Sequence, residues 1–287
     1  MNKKNIIFSI SMKFSYILIF LILSLAYSRT LNEIREEAKK CGESKSVVDC
    51  VGNLALEIYK TVGIKKCDLK DFAKEWKEDN YQREKELDES AKEIGLEEAM
   101  EFIKNGQFIA FTSQKDTVVA LESKKEKSLL KQTAKAIPLS IFHELVHLLS
   151  GKGGVSGVMK STLVFERLNT NINEGMINYF AEMFQERHPD LVSKAENEKF
   201  YVEPTNYFKT IDKYLKCEKE IFESLFTENG FSTFPQKIQE KISKISANKT
   251  VKNCKIYPST ITNNLKNIYA SQLHNFLFKC LKAYTEN

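Results

Sequence analysis

The chain has 287 residues, 42% of them apolar and 28% charged, with six cysteines, four histidines and a formal net charge of +5. This is the composition of an ordinary folded protein and excludes a largely disordered one. Acidic and basic residues are interspersed with no basic stripe carrying aromatics, which argues against a nucleic-acid partner.

The first element is an apolar run from Tyr16 to Tyr27, preceded by lysines and followed by small residues up to Ser28. It reads as a signal peptide over residues 1–28, with Met12–Lys13 offering an alternative start, and it is shorter than the ~20 residues a membrane-spanning helix needs. Cleavage after Ser28 removes Lys3, Lys4 and Lys13 and takes the net charge from +5 to +2. The expected product is secreted, with no membrane span once the signal is gone. The six cysteines agree: Cys41, Cys50, Cys67, Cys217, Cys254 and Cys280 all follow the signal, and none forms a C-x-x-C pair. Three lie before residue 68 and three after residue 216, so if all pair, at least one of three disulfides joins the N-terminal segment to the C-terminal one. The sequon Asn248-Lys249-Thr250 is a candidate glycosylation site.

From Leu31 to about Lys104 the apolar spacing is mostly helical, through Val47, Val48, Val51, Leu54 and Ile58 and again through Ile94, Met100 and Ile103, until Asn105-Gly106 ends it. Two short β-rich runs, QFIAFTSQ and TVVALES, flank Lys115-Asp116 and predict an antiparallel pair. A lysine-rich helix over about 126–136 is followed by Pro138, which suits the first turn of a helix running to about Ser150. The run GKGGVSG ends that helix. Another helix is expected from Asn173 to about Glu186, and residues 204–284 alternate helices with breaks at Gly230, Pro235 and Pro258. Together these predict one α+β, predominantly helical domain over 29–287, with helical flanks at 29–105 and 204–287.

The chemistry concentrates in SIFHELVHLLSG, residues 140–151. On a helix, positions four apart share a face, so His143 and His147 can present imidazoles to one metal ion while Glu144 projects beside them. Two imidazoles on an apolar face can also be plain core histidines, but this chain has only four histidines and places two at this spacing around a glutamate. A catalytic zinc site usually takes a third protein ligand. Downstream, Glu166 in LVFERL, Glu174 in NINEGMINYFAE and His188 are the candidates, and the H-x-x-G-x-x-H continuation of three-histidine sites is absent.

HELVH followed by NEGMINYFAE resembles the gluzincin metallopeptidases, in which a helix bearing H-E-x-x-H precedes a second helix carrying Asn-Glu-Gly or Asn-Glu-Ala. The resemblance covers about residues 138–187. It implies a zincin-like fold, one Zn2+ per chain held by His143, His147 and Glu174, and Gly175 admitting close approach of the two helices. It further implies that Glu144 is the general base of peptide-bond hydrolysis. Asn178 stands where some gluzincins carry an aspartate that orients a zinc histidine; its oxygen can accept the imidazole N–H but brings no charge. A tyrosine or histidine stabilising the oxyanion is also implied, with Tyr179, His188 and His274 as the nearby or remaining possibilities. In proteases of this architecture an extended substrate adds to a sheet edge, which either β-rich run could supply. The alternative readings are a catalytically inactive, secreted, disulfide-tied binding protein on the same fold, and a helical interaction protein with no zinc.

Overall fold

Helix formation begins at Thr30, whose hydroxyl accepts from the Glu33 backbone N–H while the Glu33 carboxylate accepts from the Thr30 backbone, a capping box that starts α1 (Leu31–Ala38). The computed structural model describes residues 29–84, 95–105, 110–113, 115–121, 136–151, 163–194, 201–227, 230–246, 254–266 and 271–286. The expected leader, all but the last residue of the lysine-rich helix at 126–136, the loop beyond Gly151 and the sequon at Asn248 lie outside them.

A 3-10 turn (Lys39–Glu43) and α2 (Val47–Val62) follow α1, then β1 (Ile64–Cys67), α3 (Leu69–Glu84) and α4 (Leu96–Asn105). Next come β2 (Ala110–Ser113), β3 (Thr117–Leu121), β4 (Ile137–Pro138), α5 (Leu139–Ser150), α6 (Leu163–Arg187) and β5 (Val192–Ser193). The C-terminal part is α7 (Val202–Leu215), α8 (Glu218–Phe226), α9 (Gly230–Ser246), α10 (Pro258–Lys266) and α11 (Ser271–Glu286). Among the described residues the chain is thus mostly helical, with eleven α-helices and a small mixed sheet.

The expected antiparallel pair is present, with Thr112 opposite Val118, but the sheet has a third strand, in the order β1-β3-β2. β1 pairs parallel to β3, within a stretch expected to be helical. Its sequence, IKKC, carries two exposed lysines and is only four residues long, so no periodicity betrays it; Gly63, at φ 73°, ends α2 and turns the chain into it. Alternation along the strands covers both faces. Ala110, Val118 and Ala120 join the main core beside α5, whereas Phe111 and Val119 join Cys67, Phe72, Ala73, Ala99 and Ile103 in a smaller core under α3 and α4.

α5 runs through the middle of the main core, with every residue from Leu139 to Leu149 buried except Glu144. Its ends are held from distant parts of the chain. At the start, β4 and β5 form a short parallel bridge, with the Ile137 N–H donating to the Leu191 oxygen, so the end of α6 is tied to the beginning of α5. At the finish, Gly151 takes the left-handed conformation and Arg35 of α1 donates Nε–H to the Leu148 carbonyl at 2.8 Å while its Nη2 pairs with Asp116 at 2.7 Å.

α6 begins ten residues before the expected Asn173 and ends at Arg187, ahead of Pro189. In the C-terminal part Gly230 and Pro258 start helices as expected, but Pro235 lies inside α9 rather than breaking it. The long helical stretch from Tyr207 to Phe226 is divided at Lys216, which adopts φ 52°.

The disulfides overturn the expected link between the ends. Cys41 joins Cys50 and Cys254 joins Cys280, each within its own segment, while Cys67 and Cys217 are free and buried. A link between the ends is required only if all six cysteines pair, and two of them do not. Cys67 sits in the small core beneath the sheet and Cys217 in the main one, so the two left over do not meet.

α6 is also joined by charge to α7 and to the residue after β5: Lys209 of α7 and Lys194 donate to Glu182 at 2.5 and 2.8 Å, and Lys209 reaches Glu186 at 2.7 Å. Burial alone would raise the Glu182 carboxyl, but the two lysine hydrogen bonds outweigh it and hold the carboxyl below its ordinary value near 4.5. A carboxyl with a depressed folded pKa adds stability that is present above pH 4.5 and is lost as pH falls through the depressed value. Glu182→Gln is therefore expected to cost about 1 kcal/mol at pH 7, and the gap between variant and parent to narrow below about pH 4.5 in urea titrations at both pH values. A gap independent of pH would mean that these lysines do not govern Glu182.

Candidate metal centre

His143 and His147 lie one turn apart on α5, which the β4–β5 bridge and Arg35 hold in place, and Glu174 projects from α6 opposite them. His143 Nε2 and His147 Nε2 are each 3.0 Å from Glu174 Oε2 and 3.1 Å from one another. Among the described residues this is the one group of His, Cys, Asp or Glu side chains that could hold a metal ion.

The triangle fits such an ion. Tetrahedral zinc, with ligand bonds of about 2.0 to 2.1 Å, separates its ligand atoms by about 3.3 Å, close to the edges seen here. The donor chemistry agrees. Asn178, also on α6, points Oδ1 at His143 Nδ1 across 3.3 Å and donates its amide to Thr205 Oγ1 at 2.9 Å. When Nδ1–H of His143 donates to Asn178 Oδ1, Nε2 is left to offer its lone pair to a cation held between it and the Glu174 oxygen. Burial would raise the Glu174 carboxyl, but His147 and then His143 reverse this and hold it well below the usual carboxylate range, so it stands as an anion.

Glu144, half-buried on the same helix, accepts from the Thr112 hydroxyl in β2. The ring of Tyr201 stacks on His143 with centroids 5.9 Å apart and planes 15° from parallel. Tyr201 precedes α7 with φ 48°, a conformation that costs a non-glycine residue about 1 kcal/mol or more and is held by its surroundings.

His143, Glu144, His147, Glu174 and Asn178 are thus brought together. Glu166 lies two turns earlier on α6, about 12 Å along the axis from Glu174, and its side chain is outside the described residues. The other candidates are elsewhere. Tyr179 is buried in the core, His188 pairs with Asp49 at 3.1 Å, and His274 bonds to Asn264 at 2.8 Å in a buried cluster with Tyr207 and Phe278. The resemblance implied that Gly175 admits close approach of α5 and α6; the atoms nearest its Cβ position belong to α7. A Cβ there would meet Pro204 at 2.4 Å and Phe208 at 3.2 Å, so its role is to let α7 approach the ligand helix.

Thr112, Tyr201 and Thr205 were not anticipated. Strand alternation places Thr112 on the same face as Ala110, but nothing local says which helix covers that face, and Tyr201 and Thr205 carry no spacing signal at all. Comparison of the chain with protein-family models, with curated proteins and with solved structures finds no match in any of the three.

Proposed function

We propose that this chain is a secreted zinc metallopeptidase of gluzincin type, hydrolysing peptide bonds in a peptide or protein substrate. The observation that carries the reading is the buried His143, His147 and Glu174 triangle with the half-buried Glu144 carboxylate beside it. Two imidazole nitrogens and one carboxylate oxygen are a donor set suited to zinc with one position left open. When bound there, zinc would lower the pKa of water and polarise the scissile carbonyl.

The residues of the chain supply the rest. Glu144 takes a proton from water and delivers it to the leaving amine nitrogen, its position on α5 keeping it next to the ligands without being one. Asn178 orients the His143 ring through Nδ1, and Thr205 holds the far side of the Asn178 amide. In this reading an extended substrate adds to β2, which is an edge of the three-stranded sheet among the described residues. Two disulfides support an oxidising, secretory destination.

The test is cleavage of a mixed quenched-peptide library by the chain purified from an oxidising host, beside Glu144→Ala, with zinc measured on both. We expect about one zinc per chain in each and a rate at least about 100-fold lower in the variant. Zinc without cleavage by the parent would favour an inactive binding protein on the same scaffold; no zinc in a folded sample would remove the metallopeptidase reading altogether.

A further inference from the structure

Thr112 stands within β2 on the sheet face that α5 covers, and its side chain is buried. Its Oγ1 lies 2.9 Å from Oε2 of Glu144 and 2.9 Å from the backbone oxygen of the same residue. A hydroxyl has one proton to donate, so it serves one of these acceptors at a time. The backbone oxygen of Glu144 lies inside α5, where the N–H four residues on supplies it with a donor. The carboxylate has no such partner and makes the stronger, charge-assisted bond. Among the described residues, Thr112 is the hydrogen-bond partner of the Glu144 carboxylate.

We propose that Thr112 is a positioning residue whose hydroxyl anchors Oε2 of Glu144, leaving Oε1 as the single oxygen that takes a proton from water and returns it to the leaving amine. This rests on the hydrolytic function proposed above. The Thr112 hydroxyl donates to Oε2, and the Glu144 backbone oxygen lies at the same 2.9 Å, so the O–H can turn from one acceptor to the other. No heavy atom has to move. Without the hydroxyl the carboxylate rotates about its last bond, both oxygens compete for water, and the population aligned for transfer falls.

The decisive variants are Thr112→Val, which keeps shape and strand preference but has no proton to give, and Thr112→Ser, which keeps the hydroxyl. In peptide cleavage Thr112→Val is expected to lower kcat by about 10- to 100-fold with KM within about twofold, and Thr112→Ser to recover most of the loss. A second readout does not depend on turnover. In metal-free protein, Thr112→Val is expected to lower Tm by several degrees in the parent background and by less than half as much beside Glu144→Ala, because the lost bond ends on that carboxylate. An equal drop in Tm in both backgrounds, or a valine variant with the parent's kcat, would overturn the assignment. If the parent cleaves nothing while the two backgrounds still differ, the hydrolytic function falls and the anchoring of Glu144 stands as a structural contact without the catalytic role.

Discussion

Glu174→Gln is expected to weaken zinc binding by about 100-fold or more while the protein still folds, measured by competition with a chromophoric chelator. The figure follows from apparent binding energies of about 10 to 16 kcal/mol spread over the four protein ligands of structural zinc sites, so that one ligand is worth about 3 kcal/mol, or roughly two decades in affinity. An amide keeps the shape of the carboxylate but not its charge, and the Glu174 oxygen is 3.0 Å from both imidazoles. Glu166→Gln is expected to leave affinity unchanged, because eight residues along α6 carry it about 12 Å from Glu174. Asn178→Ala should fall between the two, at about 10- to 100-fold, since it removes the acceptor that orients His143 without removing a ligand. Equal losses for Glu166→Gln and Glu174→Gln would show that the third ligand has been misassigned.

The second large effect concerns two glycines. At Gly52, inside α2, a Cβ would lie 2.0 to 2.4 Å from the ring of Phe184 on α6, and that ring is fully buried and stacked on Phe142 of α5 at 5.1 Å. Alanine gains about 1 kcal/mol in helix preference there, but overpacking of about 1 to 3 kcal/mol or more works against it because Phe184 has nowhere to turn. Gly52→Ala is expected to lower Tm by several degrees with little change in metal affinity. At Gly175 the obstruction includes the Pro204 backbone at 3.1 Å as well as its Cβ at 2.4 Å, so α7 itself must retreat from α6. Because residue 175 adjoins Glu174, and α7 also carries Thr205, Gly175→Ala should lower both Tm and metal affinity. Calorimetry and chelator competition on the two variants separate these outcomes, and a Gly175→Ala protein with parental values in both would refute the packing described here.

These two sets of variants also mark the boundary between local and long-range information. That residues 139–150 form a buried helix with His143 and His147 on one face is determined by sequence alone, because the helical period and the apolar neighbours are local properties of the chain. The hairpin partners QFIAFTSQ and TVVALES are legible for the same reason, as runs of strand-favouring residues on either side of a turn. Glu174 was the third ligand that the resemblance implied over Glu166, but its meeting with the two histidines depends on how α6 is rotated and shifted against α5. That placement is decided by the β4–β5 bridge and by the contact of α6 with α2 and α7 through Gly52 and Gly175.

The rest belongs to tertiary structure outright. β1 exists because β3 offers it an edge, not because IKKC favours a strand. Cys67 and Cys217 stay unpaired because burial places them in separate cores, a fact that counting cysteines cannot contain. Thr112 reaches Glu144 because the sheet lays one face against α5, and Tyr201 covers His143 because α7 packs on α6. Sequence by itself determined which side chains could hold a metal ion, since that depends on residue type and helical spacing. Only the tertiary structure decided which of them meet and what holds them, because contacts between residues distant along the chain are set by how the helices and the sheet bury one another.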